Sequence, residues 1–208
     1  MISFTPEVYF ALFEHYNLAI WPTQLMAYAL GVLALALAFS KSPLSSRIMG
    51  GVVTLFWLWN GLVYHALYFT QINFMAPVFA AFFVIEGLLL AWYFVFRGDV
   101  ELRADRELAS WAGIGLMIFA MVIFPLLGDL AGHGWPQAAV FGVAPSPTLV
   151  YSLGVLLLAQ PRMPVLPAII PILWALGSWL LGIAEDFSLP LAGIATLVLL
   201  IRKNRRAS

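Results

Sequence analysis

The chain contains no cysteine, and only ten lysines and arginines stand against ten aspartates and glutamates in 208 residues. Without cysteine there are no disulfides and no thiolate ligands, so any metal would have to be held by nitrogen and oxygen. Charged residues make up 10% of the chain, where a soluble domain carries about 25%. A formal net charge of zero gives nucleic acid no electrostatic handle, and no nucleic-acid motif is present. Enzyme signatures are missing too: there is no HExxH, GxSxG or phosphate loop. The start, MISFTPEVYF, has no basic n-region, so no cleavable signal peptide is expected.

What the chain does have is apolar length. Hydrophobic residues are 63% of it, and stretches of roughly 20 apolar residues, enough for a bilayer-spanning helix, recur. The expected class is all-α: one polytopic membrane helix bundle with seven transmembrane helices. They are placed at about Asn17–Phe39, Arg47–Phe69, Phe74–Phe96, Leu108–Leu127, Gln137–Gln160, Met163–Ala184 and Phe187–Ile201. No lysine lies in the seventh, which excludes a retinal Schiff base. Residues 1–16 read as an interfacial segment, with Thr5 capping a short helix and Pro6 in its first turn.

Charge sets the orientation. With seven spans, Lys41, Arg47, Arg97, Arg103, Arg106, Arg162, Arg202, Lys203, Arg205 and Arg206 all fall on one side, together with the C-terminus. The positive-inside rule makes that side cytoplasmic and the N-terminus external. The expected location is a bacterial inner membrane, with residues 202–208 a basic tail favouring anionic lipid. The opposite face receives Glu7, Glu14, His15, His65, Asp129, His133, Glu185 and Asp186.

An internal likeness organises the spans further. PTQLMAYALGVLALAL (Pro22–Leu37) aligns with PSPTLVYSLGVLLLAQ (Pro145–Gln160) without a gap, matching Pro22 to Pro145, Tyr28 to Tyr151 and Gly31 to Gly154. Trp57 and Trp174 form a weaker echo. Two three-helix units, 17–96 and 137–201, joined by a linker helix at 108–127, would make a 3+1+3 parallel repeat. In that register the fifth helix proper starts near Pro145, with Pro147 in its first turn. Gln137–Ala144 then becomes a separate outer segment, re-entrant or lying on the surface.

The candidate site residues lie at the outer edge. His65 sits in WNGLVYHALYFTQIN with Asn60, Tyr64 and Tyr68 close to one helical stripe. It reads either as a metal ligand or proton acceptor in a polar vestibule, or as an interfacial histidine bonded to a carbonyl. Asp129 and His133 are four apart, which on a helix would share a face, although Gly128, Gly132 and Gly134 argue against a continuous helix. A metal set of His65, His133, Asp129 and Asp186 would suit zinc, iron or copper. Glu185 and Asp186 also suit a helix N-terminus. Glu86, in FFVIEGLLL, is the one charged-type residue placed well inside the membrane, where its ionised form costs at least a few kcal/mol. It reads as a proton-coupling or substrate carboxylate, or as a neutral acid bonded across a helix contact. The Arg97–Glu107 run mixes signs and reads as a solvated loop.

The residues YNLAIWPTQ (Tyr16–Gln24), YHALYFTQIN (Tyr64–Asn73) and GHGWPQAAVFGVAPSPT (Gly132–Thr148) resemble a bacterial integral-membrane family known as domain of unknown function 6064. The likeness runs from about Phe4 to Ile194 and is strongest in the third segment. The family pattern implies a cysteine between the two prolines where this chain has Ser146, which argues against an essential thiolate. His65, His133, Pro145 and Pro147 fall inside the pattern, and His15 does not. The resemblance implies a fold family and no activity.

The composite expectation is a small permease with an outward-facing vestibule lined by Asn60, Tyr64, His65, Asp129, His133 and Asp186, with Glu86 deeper along the path. The alternatives are a membrane-embedded metal-dependent hydrolase, against which stands the lack of an HxxxH pair, and an accessory subunit of a larger complex. The bilayer is the expected partner, with a homo-oligomer or larger membrane assembly as further options.

Overall fold

The computed structural model of the chain describes residues 4–178 and 188–206, and these are mostly helical. Among them are eight continuous helices. They are α1 Pro6–Ala19, α2 Thr23–Leu37, α3 Pro43–Gln71, α4 Ala76–Arg97, α5 Leu108–Leu130, α6 Pro145–Leu157, α7 Leu166–Gly177 and α8 Ser188–Arg206. Two short strands, β1 Glu101–Leu102 and β2 Ala159–Gln160, pair antiparallel with Glu101 opposite Gln160.

Proline marks the helix starts. Pro6, Pro43, Pro77, Pro145 and Pro167 all occupy a first or second helical position, where the missing N–H has no intrahelical partner to lose. Gly98, at φ 73°, follows α4 in the left-handed conformation that commonly ends a helix. The three long helices each contain a π-helical stretch, at Asn60–Tyr68, Ala91–Arg97 and Phe119–Ile123.

Helices α3, α4 and α5 are long and apolar enough to cross a membrane, and α1 with α2 makes a fourth crossing if that pair, bent by 86°, is one broken span. Helices α6 and α7 are apolar but have only 13 and 12 residues. At 1.5 Å per residue each is about 20 Å or less, short of a hydrocarbon core of about 30 Å.

Several boundaries differ from the sequence expectation. The first span, expected from Asn17, is broken: α1 runs on through Ala19, and α2 begins at Thr23 just past Pro22. The expected helix Gln137–Gln160 is helical only from Pro145 to Leu157, and Gln137–Ala144 is irregular. The basic segment is part of α8, which continues to Arg206. Of the expected span Met163–Ala184, the described part is α7; residues 179–187 lie outside the described set.

At the centre stands α6. All its residues are buried, and burial is unbroken from Phe141 to Ala159. It meets α5 backbone to backbone, since a Cβ on Gly113 would lie 2.6 Å from the Gly154 carbonyl oxygen. On another side the Trp57 indole of α3 donates to Ser152 Oγ at 2.8 Å, and Ser152 donates to the Thr148 carbonyl at 2.8 Å. Tyr151 donates to the Gly31 carbonyl of α2 at 2.8 Å.

The Arg97–Glu107 segment is not a freely solvated loop. Ser46 Oγ exchanges hydrogen bonds with the Leu102 backbone, the Arg103 amide donates to the Leu158 carbonyl at 3.2 Å, and the Ala104 amide donates to the Ala38 carbonyl at 2.7 Å. Asp105 accepts from the Ser110 hydroxyl, the Glu107 amide and Gln160. Arg97–Asp99 and Arg103–Glu101 form half-exposed ion pairs. Nearby, the buried Lys203 donates to the carbonyl of Leu157, the last residue of α6, at 2.9 Å. One pole of the bundle is thus tied together by the segments that carry the cations.

Candidate functional site

The α3–α4 pair carries two buried ionisable side chains without hydrogen-bond partners. The register is set by close contacts: Gly61 packs on Ala80 and Phe83, Gly87 packs on Leu58, and the Trp57 and Phe83 rings are 4.5 Å apart. His65, in the π-helical stretch of α3, is 2% exposed, and neither ring nitrogen has a partner. Its surroundings are aromatic. Phe83 is at 4.6 Å, Tyr64 at 5.1 Å, Phe69 and Trp174 at 5.7 Å and Phe79 at 5.9 Å between ring centroids. Glu86, one turn past Phe83 on the buried face of α4, is 0% exposed, and neither carboxylate oxygen has a partner. His65 packs on Phe79 and Phe83, and Glu86 lies three residues past Phe83 on α4.

Such groups are costly. An unpaired amide or hydroxyl buried in an apolar setting costs roughly 2–7 kcal/mol, and an ionised carboxylate costs far more. π-Helical segments, like the one that carries His65, are found frequently at functional sites. The arrangement offers two places where a proton could be held in an otherwise apolar wall, one on α3 and one on α4.

The remaining candidates are distributed differently from the expected vestibule. Asn60 is 0% exposed; its amide donates to the carbonyls of Phe56 at 2.8 Å and Gly142 at 3.3 Å and to Thr148 Oγ1 at 3.4 Å, while its Oδ1 has no partner. Tyr64 is buried against Phe13 and Tyr16 rather than facing an open cavity. Asp129 is exposed in the last turn of α5, which ends at Leu130, so Asp129 and His133 do not share a helix face. His133 stacks on Phe10 of α1, with ring centroids 3.4 Å apart. Phe10, Tyr9 and Phe69 link its ring to that of His65 through successive contacts. His65, Asp129 and His133 are therefore held in three separate settings. Among the described residues no group of three or more histidines and carboxylates could hold a metal ion, and Asp186 lies outside the described residues.

Asp129 instead borders a cavity of about 260 Å³ shared with Trp21, Gln24, Tyr28, Gly134 and Trp135. Here the break between α1 and α2 meets the irregular segment before α6, the Trp21 and Trp135 rings being 5.7 Å apart. The polar side chains that build this junction are not among the candidates read from the sequence. Asn17 donates to the carbonyls of Pro136 at 2.7 Å and Ala138 at 2.8 Å, Gln24 donates to the Asn17 carbonyl at 2.8 Å, and Tyr16 donates to the Val143 carbonyl at 2.7 Å. Asn17 Oδ1 and Gln24 Oε1 are buried without partners. The signal was available: Asn17 and Gln24 flank the IWP break, where backbone carbonyls lose helical partners.

Comparison with known proteins gives one result. A family model described as "Family of unknown function (DUF6064)" matches residues 6–208. No curated protein and no solved structure matches the chain.

Proposed function

We propose that this chain, which belongs to the DUF6064 family, is a multi-pass inner-membrane carrier that moves a proton, alone or with a small solute, along a path passing Glu86 and His65. The observation that carries the reading is the pair of buried, unpartnered ionisable groups on α3 and α4. Ionisable residues in membrane-embedded helices are expensive and concentrate on substrate and proton paths.

Three further features support a membrane setting with seven passes. Large apolar side chains remain exposed along α3, α4 and α5, including Leu55, Leu62, Phe82, Leu88, Trp92 and Val122, a surface suited to lipid tails. The cation-bearing segments gather at one pole, and the positive-inside rule makes that pole cytoplasmic. The irregular Gln137–Ala144 segment is shielded by protein, the condition under which non-helical backbone is tolerated at membrane depth, whereas the α1–α2 break leaves Trp21 and Pro22 exposed. Short α6 then crosses as the core of the bundle, extended by Phe141–Ala144, with α7 and α8 completing the count. Discontinuous helices facing each other are the usual setting of a carrier's solute site. The cavity beside Asp129, Gln24 and Trp135 is the outer mouth in this reading, and the 3+1+3 repeat would relate the two breaks.

The hydrolase alternative draws no support from the described residues, because it requires three metal ligands converging. The test of the carrier reading is proton entry into liposomes containing the purified protein, with potassium and valinomycin setting the potential and a pH-sensitive dye inside. The wild type should acidify the lumen faster than empty liposomes, and Glu86→Gln should return the rate to background. A wild-type rate equal to that of empty liposomes would oppose movement of a proton alone.

A further inference from the structure

Another cavity lies away from these groups, between α7 and α8 at the cation-bearing pole. It measures about 780 Å³, within the range of small-molecule sites. Its walls are aliphatic, with Ile169, Ile172 and Leu173 on one side and Leu197, Leu200 and Ile201 on the other. Arg162 and Arg205 line the same cavity, and none of its lining residues is acidic. A fixed link ties the two chain segments that line it: Asn204 donates to the Met163 carbonyl and accepts from the Met163 amide, both at 3.0 Å. Leu197 and Arg205 are eight residues apart on α8, which is about 12 Å of groove at 1.5 Å per residue. The trough is therefore cationic at one end and apolar along the rest.

We infer that this groove holds one anionic phospholipid of the cytoplasmic leaflet, its phosphate on Arg162 and Arg205 and an acyl chain along the α7–α8 trough. Guanidinium groups match phosphate geometry with paired donors, and the cytoplasmic leaflet supplies anionic headgroups at this depth. A soluble anion would engage the arginines and leave the aliphatic wall empty, while a zwitterionic lipid would fill the wall and bring a cation to two cations. The inference requires only that the bundle sits in a bilayer with this pole inward; it stands or falls independently of proton movement through Glu86.

The test is native mass spectrometry of protein purified in mild detergent and exposed to an equimolar mixture of phosphatidylglycerol and phosphatidylethanolamine. The wild type should retain one phosphatidylglycerol in preference to phosphatidylethanolamine. Arg162→Gln/Arg205→Gln should lower that occupancy at least fivefold. Arg202→Gln/Arg206→Gln removes the same charge from residues outside the groove and should leave it unchanged. Leu197→Trp keeps both arginines but fills the trough, and should also lose the lipid. Gel filtration establishes that each variant is folded, and Arg162→Lys/Arg205→Lys, which keeps the charge, serves if the glutamine pair fails to fold, with partial retention expected. Equal retention in the two glutamine pairs, equal retention of both lipids, or undiminished binding in Leu197→Trp would overturn the inference.

Discussion

The phenolic hydroxyl of Tyr16 donates to the carbonyl of Val143 at 2.7 Å across 127 residues, and the Trp59 indole donates to the same hydroxyl at 2.9 Å. This relay pins the irregular segment before α6 to α1 and α3. Tyr16→Phe leaves a buried carbonyl and a part-buried indole N–H unsatisfied, which should lower stability by about 1–3 kcal/mol. Hydrogen exchange should rise selectively in 137–144, and unchanged protection there would show that the segment is held by other contacts.

The α5–α6 crossing makes opposite predictions for two glycines two residues apart. Gly113→Ala places a methyl against the Gly154 carbonyl and should cost about 1–3 kcal/mol through overpacking. Gly115 has nothing within 4 Å of the corresponding position, so Gly115→Ala should be neutral or stabilise by about 1 kcal/mol through helix propensity. Thermal melts of both variants in the same detergent separate the outcomes. Equal effects would contradict the close crossing.

Lys203 closes the other end of α6. Lys203→Met retains the buried stem but removes the bond to the Leu157 carbonyl and should cost about 1–3 kcal/mol. Lys203→Arg should recover part of the loss, as a cation at a helix C-terminus is favourable. No difference between the Met and Arg variants would remove the charge from the explanation.

Asp105 adds a pH dependence at the same pole. Burial pushes its carboxyl up, but the Ser110 hydroxyl, the Glu107 amide, the Lys203 ammonium and Gln160 outweigh it and hold it below the ordinary carboxylate value. A carboxyl depressed by folding stabilises the protein above its unfolded value, about 3.9, and that contribution is lost as pH falls through the folded value. The stability gap between wild type and Asp105→Asn should be full at neutral pH and close on acidification. A gap that is constant with pH would show that the carboxylate is energetically idle.

Long apolar runs and proline positions made α3, α4 and α5 legible within a few residues, and Pro145 marked the start of α6. The α1–α2 break was harder, because Asn17 to Phe39 is continuously apolar enough to look like one span; only IWP marks the bend. The order in Arg97–Glu107 was hidden because its bonds run to the distant Ser46, Ala38, Leu158 and Gln160. At the candidate site, Glu86 was legible as a lone acid in an apolar run, and it is buried. The aromatic enclosure of His65 was not legible, because it comes from Phe69, Phe79, Phe83 and Trp174, supplied by three different helices. The spacing of Asp129 and His133 gives no shared helix face because α5 ends between them, as Gly128, Gly132 and Gly134 indicate.

The proposed passage of a proton through the bundle by way of Glu86 is tested by a single comparison in liposomes. Glu86→Gln preserves size and removes only the ionisable proton, so its thermal melt should match or exceed that of the wild type while its dye-reported proton entry falls to the level of empty liposomes. Proton entry that persists unchanged in a folded Glu86→Gln protein would contradict the account.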